Sequence, residues 1–276
     1  MNKTRMIGLA LATLTALGPA ARAADIDAVY KASPAAAPAY LWTGVYVGVN
    51  VGWGRQHADA GYVGIVPGDI FVTGIRDGAL PAAMSRNRNG ILGGVTLGYN
   101  LQSGSLVYGI EADGMGTDLS ATTALTTSGI LAYPTLTTVT TTGVDWLATV
   151  RGRIGMLVAP QALVYATGGV AVGGVHGSSS ITPSGTSTCA NNFFCSIGSG
   201  STTNVGWTAG IGGEYMFAPH WTAKIEYLHY DLGSLGYTIN EASTHPAFLP
   251  FAGTPNVNVN TSVTGDIVRG GVNLKF

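Results

Sequence analysis

The chain ends in GDIVRGGVNLKF (residues 265–276), and the alternation within this stretch decides the fold. From position 268 onward every second residue is glycine or apolar, whereas the intervening positions include Arg269, Asn273 and Lys275. Successive residues of a strand point to opposite faces, so one face of this strand is apolar and the other is polar. A soluble sheet could turn the apolar face inward. A closed barrel in lipid is favoured for two reasons. Seven earlier segments repeat the pattern, and no segment has the spacing of an amphipathic helix that could cover the apolar face of a soluble sheet.

Eight such segments predict eight strands, of which the fifth (residues 162–175) is apolar on both faces, so its lumen side is not assigned. The eight segments are residues 42–54, 90–102, 105–113, 143–158, 162–175, 204–217, 220–231 and 265–276. Tight turns alternate with long connections rich in Gly, Ser, Thr and Asn, the long ones being residues 55–89, 114–142, 176–203 and 232–264. Short periplasmic turns and long extracellular loops are typical of outer-membrane barrels. The sequence therefore predicts an all-β fold: an eight-stranded antiparallel up-and-down transmembrane β-barrel with long extracellular loops.

Two alternating stretches inside the long connections leave the strand count open. Residues 136–142 and 257–263 either extend hairpins beyond the membrane or belong to an additional pair of strands. A ten-stranded barrel needs another pair joined by tight turns, and the sequence offers none, so eight strands are preferred.

Aromatic residues fall at the ends of the predicted strands, which indicates girdles at the two lipid–water interfaces. Trp53, Trp146 and Trp207 mark the outer rim. The periplasmic rim is predicted to hold Trp42, Tyr99, Phe217, Trp221 and Phe276.

Composition and the N-terminus both indicate an exported protein. Only 10% of residues are charged and 41 are glycine, whereas about 25% charge is usual in soluble domains. Residues 1–23 resemble a secretory signal, with Lys3 and Arg5 before a short apolar run and Ala21-Arg22-Ala23 at the cleavage site. A transmembrane anchor is disfavoured because that run is too short. We expect a periplasmic Ala/Pro linker at residues 24–41 and a barrel at residues 42–276, in the outer membrane of a Gram-negative cell. The net charge of −1 and the lack of a basic run exclude nucleic acid as an expected partner.

The predicted lumen face collects charges of both signs in equal number. These ten residues are Glu111, Asp113, Asp145, Arg151, Arg153, Glu214, Lys224, Glu226, Arg269 and Lys275. An eight-stranded barrel has an interior that side chains can just fill, so charges inside it must pair. The favoured interpretation is a salt-bridge network that plugs the lumen, and the alternative is a narrow selective pore.

Outside the lumen, the candidate sites are few. Cys189 and Cys195 lie in one predicted loop of an exported protein, which favours a disulfide over a metal site. The histidines are dispersed, and His57, His176 and His245 could ligate haem iron or a metal only from the loops. No nucleophile–base set and no metalloprotease motif is found. We therefore predict no catalytic residue, no metal, no cofactor and no enzyme activity.

Several motifs resemble the outer-membrane immunogenic protein family of alphaproteobacteria, which are small porin-family barrels with an OmpA-like β-barrel domain. They are LWTGVYVGVNVGWG after ADIDAVYKA, RGRIGMLVAPQALVYATGGVAVGGV, WTAGIGGEYMFAPHWTAKIEYLHYDLG and the terminal VRGGVNLKF. The resemblance covers the whole mature chain. It implies structural, immunogenic and adhesion-related roles at the surface, with haemin binding in some members. Phe276 resembles the barrel-assembly signal of this class.

The leading hypothesis is a non-enzymatic surface barrel that supports envelope integrity and presents its loops. Its expected partners are outer-membrane lipid and lipopolysaccharide, the barrel-assembly machinery, and host or peptidoglycan-associated molecules. A small porin-type diffusion channel is the first alternative. Loop-mediated binding of haem or another ligand is the second.

Overall fold

A computed structural model describes residues 41–67, 70–128, 135–184, 195–242 and 254–276. The predicted signal and nearly all of the predicted linker lie outside the described residues, so both stay predictions. One short helix, α1 (Ile70–Arg76), accompanies eight long strands. The strands are β1 (Gly44–Gly64), β2 (Ala83–Ser103), β3 (Leu106–Ser128), β4 (Thr135–Ala159), β5 (Ala162–Pro183), β6 (Ser196–Ala218), β7 (Trp221–Glu241) and β8 (Pro255–Lys275).

Among the described residues, no helix is long and apolar enough to cross a membrane.

The eight strands form one closed ring in chain order. Every strand pairs with its sequence neighbours in antiparallel fashion, and β1 closes the ring against β8, with Val49 opposite Val272. Closure joins the first strand to the last, so no strand is left as an open edge of the sheet, which is what a lipid environment demands. Further from the tight turns the pairing of the described strands is incomplete: β2 and β3 pair only up to Leu92 and Thr117, and β6 and β7 have no register partners between Ile197–Asn240 and Trp207–Asp231. The predicted eight-stranded antiparallel up-and-down barrel is confirmed.

The strands run much further than the sequence indicated. Eight segments that lie within the predicted long connections belong to the strands of the wall. They are residues 55–64, 83–89, 114–128, 135–142, 176–183, 196–203, 232–241 and 255–264. A strand of 21 residues is roughly 70 Å long and, tilted by about 40°, rises about 50 Å along the barrel axis. The hairpin extensions weighed at residues 136–142 and 257–263 are therefore correct, and the sequence-based loop boundaries are wrong.

On the outer face, some of these added strand segments are joined by polar cross-strand contacts. On the outer face of the β3–β4 hairpin, Thr122 bonds Thr141 at 2.9 Å and Thr126 bonds Thr137 at 3.0 Å between hydroxyl oxygens. Threonine is β-branched and suits a strand, and facing hydroxyls stabilise a cross-strand pair. The threonine-rich segments 122–128 and 135–142 are consequently two regularly paired strand segments.

An apolar belt encircles the outer face over half of the barrel's length. This is the half that ends in the tight turns, and we call that end of the barrel the turn end. We call the opposite end the hairpin end. On β1 the belt runs through Val45, Val47, Val49 and Val51 to Trp53, all exposed. Its upper limit is marked by exposed aromatic rings on several strands, namely Trp53, Trp146, Trp207 and Tyr227. Such a belt is what a membrane-embedded barrel presents to lipid, about 25 Å tall. The other half of the wall rises beyond it.

Inside, apolar and polar side chains alternate in tiers along the lumen. At the turn end, Trp42, Val107, Leu163 and Met216 form a buried apolar cluster. Trp42 is 1% exposed, and its indole N–H donates to the Pro160 carbonyl at 3.2 Å. Its predicted place in the girdle is wrong, because this hydrogen bond draws the ring across the mouth of the lumen. A second, larger apolar cluster occupies the hairpin half, and α1 contributes Phe71 to it.

Three inward tyrosines each lie over a glycine of the neighbouring strand. Tyr46 faces Gly98, Tyr165 faces Gly212, and Tyr230 faces Gly265 in direct register. A Cβ at Gly212 would stand 2.5 Å from the Tyr165 hydroxyl and ring. Glycine is thus required where a ring crosses the lumen close to the wall.

We predict that Gly212→Val destabilises the barrel by about 1–3 kcal/mol, because the added side chain must push Tyr165 out of its position. The matched control is Gly213→Val on the outer face, where a Cβ meets its nearest atom at 3.9 Å, an ordinary contact. Urea unfolding in detergent micelles, followed by tryptophan fluorescence, measures both. Equal midpoints for the two variants would contradict the crowding described at Gly212.

Candidate functional site

The inward faces of β3, β4, β6, β7 and β8 bring eight charged side chains into one layer of the lumen, above the Trp42 cluster. We call it the charge layer. Its members are Glu111, Asp113, Arg151, Arg153, Glu214, Lys224, Glu226 and Arg269, all buried. Four carboxylates thus face four cations, and the layer is electrically neutral.

Arg151 and Glu111 hold the centre of the layer. The Arg151 guanidinium contacts three carboxylates, with N–O distances of 2.5 Å to Glu111, 2.7 Å to Asp113 and 3.1 Å to Glu226. Glu111 also accepts from Lys224 at 2.9 Å, which reaches across from β7. Ion pairs shared in this way connect strands that are not neighbours in the ring.

Arg269 and Arg153 complete the network on either side. Arg269 lies 2.6 Å from Glu226 and 3.1 Å from Asp113. Arg153 lies 2.7 Å from Glu214, and its guanidinium carbon sits 4.1 Å from the centre of the Tyr165 ring, a cation–π contact.

Neutral side chains satisfy the remaining carboxylate oxygens. Tyr46 donates to Glu111 at 2.7 Å and Tyr165 donates to Glu226 at 3.0 Å. Glu214 accepts from Thr222 at 2.5 Å and from Asn273 at 2.9 Å. Every oxygen of the four carboxylates accepts at least one hydrogen bond, as buried ions require.

Two of the ten predicted lumen charges lie elsewhere. Asp145 sits on the outer wall, where its side chain is 64% exposed and 3.1 Å from His176. The cause is a β-bulge between Val144 and Trp146, which adds one residue and reverses the facing of Asp145. Lys275 lies at the turn end, half-buried, and donates to the Leu41 carbonyl. The two corrections remove one charge of each sign, so the balance of the layer is preserved.

Sequence reasoning missed the tyrosines of the layer. Tyr46 was on the polar face of its predicted strand, and that position was the available signal. Tyr165 lies on β5, whose two faces both read as apolar, so its alternation carried no signal. Thr222 and Asn273, which donate to Glu214, could likewise be recognised only from the face of the strand on which they lie.

The other candidate residues lie apart from the charge layer. His57 is on the outer wall of β1, with Nδ1 2.5 Å from the Asn87 amide oxygen and Nε2 3.6 Å from Asp266. His176 is on β5, four strands away around the ring, and His245 lies outside the described residues. In the described part of the chain, no group of three or more His, Cys, Asp or Glu side chains is arranged to hold a metal ion.

Two further predicted roles stay predictions. Cys195 is fully buried, whereas Cys189 lies outside the described residues, so the structure does not test the pairing. Phe276 is exposed at the turn end and its backbone N–H donates to the Val45 carbonyl at 2.9 Å. Its proposed part in assembly is untested.

We predict that Asp113→Asn lowers the free energy of unfolding by about 3–5 kcal/mol, because it leaves three acids against four buried cations. Asp145→Asn is the matched control: the same chemical change at the exposed outer position should alter stability by less than about 0.5 kcal/mol. Urea unfolding in micelles compares the two variants. A similar loss in both would show that Asp113 gains nothing from its buried partners.

The chain matches the family model described as outer membrane protein beta-barrel domain over residues 9–276. The 31 kDa outer-membrane immunogenic proteins of Brucella melitensis and Brucella suis are each 30% identical to it over 275 residues, which is 98% of this chain and 100% of theirs. A 22 kDa outer membrane protein of Rhizobium leguminosarum is 30% identical over 160 residues, covering 57% of this chain and 60% of that protein.

Solved structures are similar at lower identity. Neisserial surface protein A is 12% identical with a TM-score of 0.34, covering 85% of this chain and 98% of its own. OprG of Pseudomonas aeruginosa is 11% identical with a TM-score of 0.40, covering 86% of this chain and 98% of its own. The assignment depends on the sequence matches, which agree with the resemblance seen in the motifs. The chain belongs to the outer membrane protein beta-barrel domain family, and it is a protein of the outer membrane.

Proposed function

We propose that this protein is a sealed, non-enzymatic barrel that contributes to the mechanical integrity of the outer membrane and displays its hairpin ends at the cell surface. The observation that carries the proposal is the occlusion of the lumen. Apolar side chains close the charge layer from both directions: Trp42, Leu163 and Met216 towards the turn end, and Leu92, Met115, Leu147, Leu228 and Ile267 towards the hairpin end.

The charge layer serves stability in this proposal. A conducting path needs hydrated charges that an ion can meet and leave, with binding weak enough for release. Here the four carboxylates already accept hydrogen bonds from four cations and from neutral donors, and the side chains are fully buried. An ion entering the layer would have to replace these contacts.

The surface role is supported by the upper wall. The strands continue about 25 Å past the apolar belt, by the same rise per residue as within it. The outer surface of this half is rich in hydroxyl side chains, such as Thr122, Thr126, Thr137 and Thr141. The Brucella relatives are named as immunogenic proteins, which fits display of such hairpins outside the cell. Outer-membrane lipid and lipopolysaccharide would contact the belt and the wall above it.

We predict that the mature protein, refolded from Ala24 onward, is silent in single-channel recordings across planar bilayers. The physical reason is the pair of apolar closures around the charge layer. Heat-modifiable migration on gels establishes that the recorded sample is folded. A stable and reproducible open current would contradict the sealed barrel and favour the porin alternative.

Two substitutions locate the path if a current is found. Glu226→Gln removes one negative charge from the layer, and Arg269→Met removes one positive charge. Either variant would shift the reversal potential if ions passed through the layer. An unchanged reversal potential in both variants would assign the current to leakage around the barrel rather than through the lumen.

Display at the surface predicts that Thr126→Cys is labelled by a membrane-impermeant maleimide on intact cells, above the wild-type background. Thr126 is exposed near the tip of the β3–β4 hairpin. Ser103→Cys, exposed where β2 ends at the opposite end of the barrel, is the control and should be labelled only after the cells are lysed. The reverse pattern would overturn the proposed orientation.

A further inference from the structure

A second polar tier lies in the hairpin half of the lumen, and none of the roles proposed above uses it. We call it the upper polar layer: Gln56, Tyr62, Arg86, Thr140, Thr142, Ser179, Tyr230 and Tyr237. Residues of the large apolar cluster lie on both sides of it, with Leu92 and Leu147 towards the charge layer and Leu80, Leu136 and Ile181 towards the hairpin end.

Part of this layer is satisfied by its own hydroxyl groups. Tyr62 bonds Thr140 at 2.5 Å, Thr140 bonds Ser179 at 2.9 Å, and Ser179 bonds Tyr237 at 2.7 Å. Burial raises the pKa of Tyr237, so this row of hydroxyl groups stays neutral at physiological pH. The row of hydrogen bonds crosses the lumen from β1 to β7, and each of its four hydroxyl groups has a partner within it.

Arg86 is different, because it is a buried cation without a counter-charge. Its side chain is 5% exposed, and Nη1 donates to the Thr142 hydroxyl at 3.1 Å. Nε and Nη2 have no acceptor among the described residues, and Arg86 is in none of the ion pairs that those residues form. A guanidinium group cannot give up its proton to escape this position.

Two more donors without partners lie on neighbouring strands at the same level. Ala58, the register partner of Arg86, is two residues from Gln56 on the same face of β1. Gln56 is opposite Gly265, and the Tyr230 hydroxyl lies 2.5 Å from the point that a Cβ of Gly265 would occupy. Both atoms of the Gln56 amide and the Tyr230 hydroxyl lack a partner within the described strands.

We propose that the upper polar layer binds a small monovalent inorganic anion, of the size of chloride, against Arg86. Arg86 would supply charge and its free N–H groups, with Gln56 and Tyr230 as neutral donors. The contrast with the charge layer supports this assignment, since there every cation meets a carboxylate of the protein. An anion restores neutrality in the one tier where the chain supplies only a cation.

The test is urea unfolding in detergent micelles with sodium chloride replaced stepwise by sodium gluconate at constant ionic strength. A ligand that binds only the folded state shifts the equilibrium by mass action. Above saturation, each tenfold rise in chloride should therefore raise the ratio of folded to unfolded protein about tenfold. No dependence on chloride in the wild type would overturn the proposal and leave water as the occupant.

Arg86→Met should lose the chloride dependence altogether. In gluconate this variant should be at least as stable as the wild type, because it no longer buries an unpaired cation, whereas in chloride it should be the less stable of the two. That reversal is not expected from a merely structural arginine. Arg55→Met is the matched control, since Arg55 is on the same strand as Gln56 but exposed on the outer wall, and it should keep the wild-type response.

Two further measurements test the proposal even if Arg86→Met fails to refold. Gln56→Leu keeps the cation and should weaken the chloride response without abolishing it. Crystals of the wild type soaked in bromide should show anomalous density beside Arg86. A chloride response that persists in full in Arg86→Met, or bromide found only at the outer wall, would place the anion elsewhere and refute the assignment.

Discussion

An ion inside a barrel that crosses lipid must find its counter-charge within the lumen, and the rest of this structure depends on that constraint. Arg151 meets it by touching three carboxylates at once, and Glu111 by accepting from several cations. Because these contacts join strands that are distant around the ring, each charge restrains the tilt and register of several strands. The wall and its contents therefore stabilise one another.

The apolar tiers give the charge layer its character. With Trp42 drawn across the turn end by its bond to Pro160 and a larger cluster on the other side, the ions are shielded from water as well as paired. Electrostatic attraction is stronger in such surroundings, and so is the penalty for a missing partner. This explains how a barrel can carry eight charges in one layer of its lumen and still have a closed interior.

The alternation of the sequence was sufficient to predict the eight strands, their antiparallel order and the inward facing of most charges. It misplaced Asp145 because a bulge adds one residue, and no change in composition marks the bulge. It ended the strands too early because segments rich in threonine and glycine resemble loops when the apolar period stops. It assigned Trp42 to the girdle, although this residue lies just before the wall and is buried. It gave Arg86 no place inside the barrel, because Arg86 lay in a predicted loop.

The extension of the strands above the belt fixes a height. A flexible loop would let its tip wander over the membrane, and each encounter would cost conformational entropy. Here the described upper ends of the strands, such as Gly64 of β1 and Val257 of β8, belong to hydrogen-bonded ladders whose rise per residue is set by covalent geometry. These strand ends therefore stand at one defined distance from the belt, roughly 25 Å above it. The wall above the belt thus has a fixed length.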